Sequence, residues 1–120
     1  MIVLLIALGA AVGAPARYLT DRAVQSRHDT ALPWGTVTVN VVASLVSGFV
    51  AGAVGHLSLE VQALVATGFC GAVSTFSTFS YETLRLAQDG RRSVAVTNVV
   101  VSVAAALGAA ALGWVLGSAL

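Results

Sequence analysis

Residues 68–82 read GFCGAVSTFSTFSYE, and they combine glycine, hydroxyl and aromatic side chains in a chain otherwise rich in Ala, Val, Leu and Gly. Residues 74–80 alone carry five hydroxyl groups and two phenylalanines. The apolar run VQALVAT at residues 61–67 precedes them. The first half of this segment therefore suits lipid, whereas the second half is more polar than a helix facing hydrocarbon tolerates.

The composition places the chain in a membrane. Of its 120 residues 58% are hydrophobic and only 9% are charged, and the mean hydropathy is +0.92. A soluble domain needs more surface charge than this to stay dispersed in water. We therefore expect the lipid bilayer to be the solvent of this chain. The formal net charge of +1 gives no field that would attract nucleic acid.

Four segments are long and apolar enough to span a bilayer, which takes about 20 residues. They cover residues 2–20, 34–55, 61–81 and 94–116. We therefore predict an all-α membrane protein in which residues 1–120 form a single domain of four transmembrane helices.

The basic residues predict the orientation. All of them are arginines, and all fall towards the face with the two long connections: Arg17, Arg22, Arg27, Arg85, Arg91 and Arg92. The positive-inside rule then places the long connections in the cytoplasm and both termini outside a cell membrane that the chain crosses several times. Arg17 interrupts the first span. Such a side chain usually extends to the interface, but at membrane depth it is a functional candidate.

A polar stripe follows the second span. Thr36, Asn40, Ser44 and Ser47 recur at steps of four, four and three, which places them on one face of a helix. Asn98 and Ser102 repeat this pattern in the fourth span. Such groups either bond between helices or line a wet, ion-conducting path. Ser44, Gly48 and Gly52 also have the spacing of a close helix contact.

The aromatic and glycine residues of the third span allow two interpretations. Phe76 and Phe79 share a helix face, and Gly68 and Gly71 precede them. Both pairs are explained by helix packing. Alternatively, glycine followed by hydroxyl residues marks a break in a membrane helix, where freed carbonyls can bind a cation.

The site indicated by these side chains suits an anion. Hydroxyl, amide and guanidinium groups donate hydrogen bonds, and the edges of phenylalanine rings carry partial positive charge. The acidic residues all fall at predicted span ends or in loops: Asp21, Asp29, Glu60, Glu82 and Asp89. Cation conduction and proton-coupled transport usually need an acid inside the membrane.

The chain resembles the small fluoride channels called Fluc or CrcB. GAAVGAPARYL at residues 9–19 is similar to the first-helix pattern Gly-x-x-x-Gly-Ala-x-x-Arg-Tyr. GTVTVNVVASLVSG at residues 35–48 resembles the second-helix signature Gly-Thr-x-x-Val-Asn, and residues 68–82 resemble the third-helix signature. Ala43 and Ser74 depart from the glycine and threonine that are common in the family.

The resemblance implies an antiparallel dimer with two narrow fluoride pores along the subunit contacts. The fluoride would meet the ring edges of Phe76 and Phe79, the Asn40 side chain, and the hydroxyl run of Thr75, Ser77 and Thr78. We place Ser44 beside them because it continues the polar stripe. Arg17 would lie at the aqueous vestibule, and Asn98 and Ser102 would form a fourth-helix track.

The resemblance also implies a third helix that is broken near its middle. Carbonyls at this break, from both subunits, would hold a structural sodium ion that is not transported. In this chain they would belong to Gly71 and Ser74.

The expected function is passive, fluoride-selective export down the electrochemical gradient, which reduces fluoride toxicity and needs no enzymatic step. One alternative is a four-helix multidrug exporter, which requires a carboxylate within the membrane. A second alternative is a membrane assembly subunit that transports nothing, for which a polar stripe would be superfluous.

The arginine bias leaves two forms of the dimer open. A chain that inserts in both orientations should have little bias, and this chain has much. Its partner is therefore either a second copy or a related subunit of opposite bias.

Overall fold

The computed structural model describes residues 1–27 and 30–120, so the predicted loop position of Asp29 lies outside the described residues. Four helical elements in this part of the chain are long and apolar enough to span a membrane. The first helix is Ile2–Gln25, the second Trp34–Gly52, the third Leu59–Gln88 and the fourth Arg92–Ser118. The predicted all-α fold with four spanning helices is confirmed.

The third helix is interrupted. It begins as a short α-helical turn, Leu59–Gln62, widens into a π-helix, Ala63–Cys70, and returns to α-helix at Gly71–Val73. Ser74 and Thr75 are then extended, with ψ angles of 151° and 121°, before the helix resumes at Phe76–Gln88. A break near the middle of the third helix, as predicted, is therefore present.

The helix ends differ from the predicted spans. The first helix continues past residue 20 to Gln25, and the second half of the third continues past residue 81 to Gln88. The backbone hydrogen bonds of these helices continue into the polar residues that follow each apolar run. The second helix instead ends at Gly52, before residue 55, because a tight turn follows in which the His56 amide donates to the Ala53 carbonyl at 2.8 Å.

The helices alternate in direction, so the first runs parallel to the third and the second runs parallel to the fourth. The contacts show the parallel direction of the first and third helices. Gly9 lies against residues 64–69, and Gly13, one turn further along, lies against residues 69–72. At the other end of the first helix, Asp21 packs against Gly35 at the start of the second. The arginines lie towards this same end of the bundle. Arg17 is within the first helix, and the others are near helix ends or in connections.

Glycines allow the second and fourth helices to touch backbone to backbone. A Cβ atom added at Gly48 would collide with the Ala110 carbonyl, and one added at Gly113 would lie 2.7 Å from the Phe49 amide nitrogen. The close contact predicted for Gly48 and Gly52 is thus present. In a membrane, where lipid is as apolar as the side chains, such backbone proximity is a main source of helix association.

A small hydrophobic cluster fixes the second helix against the segment before the break. Val39 and Ala43 of the second helix are buried against Cys70 and Val73 of the third. The side chain of Phe69 packs against the same cluster. This contact places Asn40 directly opposite the interruption of the third helix.

We expect Gly113→Ala to destabilise the protein by about 1–3 kcal/mol, because the new methyl group must separate two backbones that are in contact. The measurement is the thermal unfolding of the purified protein in detergent. The matched control is Gly108→Ala on the same helix, where a Cβ meets no atom within 4 Å among the described residues. A melting temperature that falls equally in both variants would contradict this account of the packing.

Candidate functional site

The side chain of Asn40 holds the break in the third helix. Its Nδ2 donates to the Thr75 carbonyl at 3.1 Å, and its Oδ1 accepts from the Thr75 amide at 2.7 Å. The side-chain amide of Asn40 thus forms hydrogen bonds with both backbone polar groups of Thr75, the residue at the break. An extended residue in a membrane helix is tolerated only where its peptide groups find such partners.

The break leaves the carbonyls of residues 71–74 without their helical donors, and for Gly71 and Ser74 the new partners of those donors can be named. In a continuous helix the Gly71 carbonyl would accept from the Thr75 amide, but that amide donates to Asn40. The Ser74 carbonyl would accept from the Thr78 amide, but that amide donates to the Thr75 hydroxyl at 3.2 Å. These are the two carbonyls that the family resemblance assigned to a sodium site.

Thr75 is the N-cap of the second half of the helix. Its hydroxyl accepts from the Thr78 amide and lies 3.4 Å from the Ser77 hydroxyl. This capping satisfies one of the amide groups that every helix start leaves unpaired. The hydroxyl run therefore restarts the helix directly after the break.

A groove of about 320 Å³, here called the central groove, gathers most of the predicted pore residues. Its lining comprises polar residues, two phenylalanines and two aliphatic residues of the fourth helix: Asn40, Ser44, Ser74, Thr75, Phe76, Phe79, Ser102, Val103 and Ala106. The Phe76 and Phe79 ring centroids are 6.1 Å apart. Residues from the second, third and fourth helices thus meet at one place.

The central groove can donate hydrogen bonds. Asn40 uses one of its two amide hydrogens on Thr75, so the second remains available. The hydroxyls of Ser44 and Ser74 line the same groove. Within residues 1–27 and 30–120, the groove lining includes neither aspartate nor glutamate. Neutral donors and ring edges without a carboxylate are suited to a small anion.

A second cavity, here called the arginine cavity, has a volume of about 200 Å³ and lies next to the groove. Thr75 lines both spaces. The other residues of the arginine cavity come from the first, second and third helices: Arg17, Tyr18, Asp21, Thr36, Val39 and Thr78. The half-buried Arg17 lines this cavity together with Asp21, and its assignment to a vestibule stays a prediction.

A third cavity, here called the serine cavity, adjoins the groove on its other side, with a volume of about 340 Å³. Ser44 and Ser74 line both spaces, and Ser47 lines the serine cavity alone. The polar stripe of the second helix therefore passes through all three cavities in order, from Thr36 through Asn40 and Ser44 to Ser47. The stripe lines this series of adjoining spaces and also makes contacts between helices, because Thr36 bonds to Glu82 and Asn40 bonds to Thr75.

Three of the predicted residues lie outside the cavities. Gly71 and Ser77 are exposed on the subunit surface. Asn98 is completely enclosed, with none of its surface exposed. Phe76 lines the groove but 80% of its surface is exposed, whereas Phe79 is half-buried. The side of the groove at Phe76 is therefore open in a single subunit.

Asn98 belongs to a buried chain of hydrogen bonds. Its Nδ2 donates to the Thr83 hydroxyl at 2.8 Å, and its Oδ1 accepts from the Ser102 hydroxyl at 3.3 Å. The Thr83 hydroxyl in turn donates to the Phe79 carbonyl at 2.8 Å. Of the two fourth-helix residues, only Ser102 lines the groove, and Asn98 ties the fourth helix to the turn that carries Phe79.

The sequence did not reveal the partnership of Thr36 with Glu82. The Thr36 hydroxyl donates to Glu82 Oε1 at 2.5 Å, and the Glu82 side chain is half-buried. Residue 82 was expected just past the end of a span, but the third helix continues to Gln88 and carries Glu82 within it. The position of Thr36 on the polar stripe indicated that its hydroxyl faces another helix. Nothing in the sequence indicated that Glu82 is the residue opposite.

Comparison with known proteins identifies the family. Residues 4–114 match the family described as CrcB-like protein, Camphor Resistance (CrcB). A protein of Frankia casuarinae named fluoride-specific ion channel FluC 1 is 65% identical over 117 residues, which are 92% of this chain and 91% of that protein. FluC 1 of Streptomyces avermitilis is 54% identical over 112 residues, 92% of this chain and 90% of its own. FluC 2 of Rhodococcus jostii is 48% identical over 114 residues, 95% of this chain and 96% of its own. With a match over nearly its whole length and relatives this similar, the chain belongs to the CrcB family.

Proposed function

We propose that this protein is a passive, fluoride-selective channel through which cytoplasmic fluoride leaves the cell. The observation that carries the proposal is the central groove, where amide and hydroxyl donors meet two phenylalanine rings. The relatives named as fluoride-specific ion channels support the choice of ion.

The chemistry of the groove fits the physical problem of moving fluoride. A small anion holds its water tightly, so a narrow pore must replace that water with oriented donors. Asn40, Ser44 and Thr75 offer such donors, and the ring edges of Phe76 and Phe79 offer partial positive charge. No catalysis is needed, so the proposal is for a channel and not an enzyme.

The direction follows from electrostatics. Fluoride enters cells from acidic surroundings as neutral HF and dissociates inside to the trapped anion. An interior-negative membrane potential then drives the anion outward at about 2.3 kcal/mol per 100 mV. A passive pore is sufficient for resistance to fluoride.

A proton-coupled multidrug exporter fits less well. Such a transporter needs a carboxylate where its substrate binds. Glu82 accepts a hydrogen bond from Thr36 away from the groove, and the groove lining in the described ranges 1–27 and 30–120 contains no acid. A subunit that transports nothing would have no use for a polar stripe that lines three cavities.

We expect Phe76→Leu and Phe79→Leu each to slow fluoride efflux at least about tenfold, the change that corresponds to about 1.4 kcal/mol in the barrier. The reason is the loss of the positive ring edge beside the anion. The measurement is fluoride efflux from liposomes that hold the active dimer.

The control for this prediction is Phe49→Leu, at a phenylalanine that lies outside the groove lining. Its efflux should match that of the unmodified protein. Unchanged efflux in both groove variants would remove the phenylalanines from the pore.

We further propose that the active unit is an antiparallel dimer. Gly71, Ser74 and Ser77 are exposed on one subunit, in the middle of a helix that spans the membrane. Freed carbonyls and hydroxyls facing hydrocarbon would each be costly. A second subunit that covers this surface would enclose both the carbonyls and the open side of the groove at Phe76.

The same surface supports the structural sodium ion as part of the proposal. Carbonyl oxygens are hard, neutral ligands that suit Na⁺, and those of Gly71 and Ser74 lack their helical donors. Two subunits would contribute two such pairs. Bound there, sodium would neutralise carbonyl dipoles gathered at the contact and would not need to move with fluoride.

We expect replacement of sodium chloride by N-methyl-D-glucamine chloride at equal ionic strength to lower the melting temperature of the purified dimer and its fluoride efflux. An ion that binds only the folded dimer stabilises it by mass action. Potassium chloride serves as a control for ionic strength and cation charge. Identical melting curves in all three salts would rule out the sodium site.

The arginine distribution favours a partner of opposite bias over a second copy of the same chain. The arginines are carried by the helix ends and connections at one end of the bundle. By the positive-inside rule, such a chain inserts in one orientation, with the long connections in the cytoplasm. An antiparallel dimer then needs a related subunit that inserts the other way.

We expect a cysteine introduced as His56→Cys, in the exposed short hairpin, to be labelled by an impermeant maleimide only from outside the cell. Labelling is compared between intact cells and inside-out vesicles. The native protein, whose Cys70 is buried, is the background control. Labelling from both sides, or full efflux from liposomes holding this chain alone, would remove the need for a partner.

A further inference from the structure

We propose that Asn40 is a positioning residue that keeps the third helix interrupted and so leaves the Gly71 carbonyl free. This inference rests on the proposed channel function and gives Asn40 a second role beside lining the groove. It joins the pore to the proposed cation site through one side chain.

The hydrogen bonds assign this role. In a continuous helix the Thr75 amide would donate to the Gly71 carbonyl, which closes the helical turn across the break. The Asn40 Oδ1 takes that amide at 2.7 Å, and its Nδ2 binds the carbonyl of the same residue at 3.1 Å. The side-chain amide therefore competes with Gly71 for the Thr75 amide and leaves the Gly71 carbonyl free.

The second helix is held firmly enough to act in this way. Just before the break, Val39 and Ala43 are buried against Cys70 and Val73. Beyond the break, the Thr36 hydroxyl donates to Glu82. The second helix is thus attached to both halves of the third, and Asn40 lies between the two attachments.

A residue that only donates to fluoride would have a different geometry. Its amide hydrogens would both face the groove, and its oxygen would need no backbone partner. Asn40 instead commits one hydrogen and its oxygen to Thr75. Ser44 is one turn further along the same stripe and lines the same groove, and it makes no such contact with the break. Ser44 therefore separates the two roles.

The test measures backbone hydrogen exchange in peptides covering residues 71–78 of the purified full-length protein, for Asn40→Ser and Ser44→Ala. The serine keeps a hydroxyl donor near the groove but is too short to bind both groups of Thr75. We expect Asn40→Ser to let the helix close across the break, so that the Phe76 and Ser77 amides, which a helix start leaves unpaired, gain protection, while Ser44→Ala leaves their exchange unchanged.

A second measurement follows the stabilisation of each variant by increasing sodium chloride, with N-methyl-D-glucamine chloride holding the ionic strength constant. We expect Asn40→Ser to raise the sodium concentration needed for half-maximal stabilisation about tenfold, as removal of an outer-shell partner of a metal ligand typically does. Ser44→Ala should slow fluoride efflux without changing this concentration.

Unchanged exchange of these amides in Asn40→Ser, or an equal change in both variants, would overturn the positioning role. If Asn40→Ser does not fold, Asn40→Gln decides, because its amide is displaced by one methylene: stronger protection of the Phe76 and Ser77 amides supports the role and unchanged protection overturns it. Fluoride efflux by the assembled dimer tests the channel function separately, so a dimer that carries no fluoride refutes that function while the exchange data still decide the role of Asn40.

Discussion

A membrane helix can stop and restart in its middle only if another group takes the place of its missing internal hydrogen bonds. In this protein that group is the Asn40 carboxamide, bound to both the amide and the carbonyl of Thr75. Without the Asn40 side chain, we expect a continuous helix to be the arrangement of residues 71–78 with the lowest free energy in hydrocarbon. The freed Gly71 carbonyl follows from this pair of bonds, and the Thr75 residue that they hold caps the restart of the helix at Phe76.

The surrounding packing turns this local interaction into a fixed geometry. Backbone contacts at glycines hold the second helix on the fourth and the first on the third. The buried bonds from Ser102 through Asn98 and Thr83 to the Phe79 carbonyl set the turn that carries one of the two rings. These packed neighbours hold the donors of the groove in place on the sides that the subunit itself closes. Donors held in this way suit the proposed replacement of water around an ion.

Much of this was predictable from the sequence, because it follows from periodicity and composition. Four apolar runs predicted four helices, and the steps of the polar stripe predicted one face. Glycine before hydroxyl residues was compatible with either packing or a break, and the resemblance to the family favoured the break. Partnerships between helices were not predictable, because spacing along one helix does not say which residue lies opposite. Asn98 shows the limit: its spacing from Ser102 suggested a pore track, but it is enclosed and bonds to Thr83. The pairing of Thr36 with Glu82 was hidden for the same reason.

The exposed midpoint of the third helix also bears on how the protein is made. Gly71 and Ser74 present carbonyls without helical donors at the surface of a single subunit. In the proposed dimer this surface is covered, so a subunit that has not yet paired would leave polar groups facing lipid at a cost in free energy. If the partner is a different chain, the less abundant chain would limit the number of assembled dimers. The cell would then need to make the two chains in similar amounts.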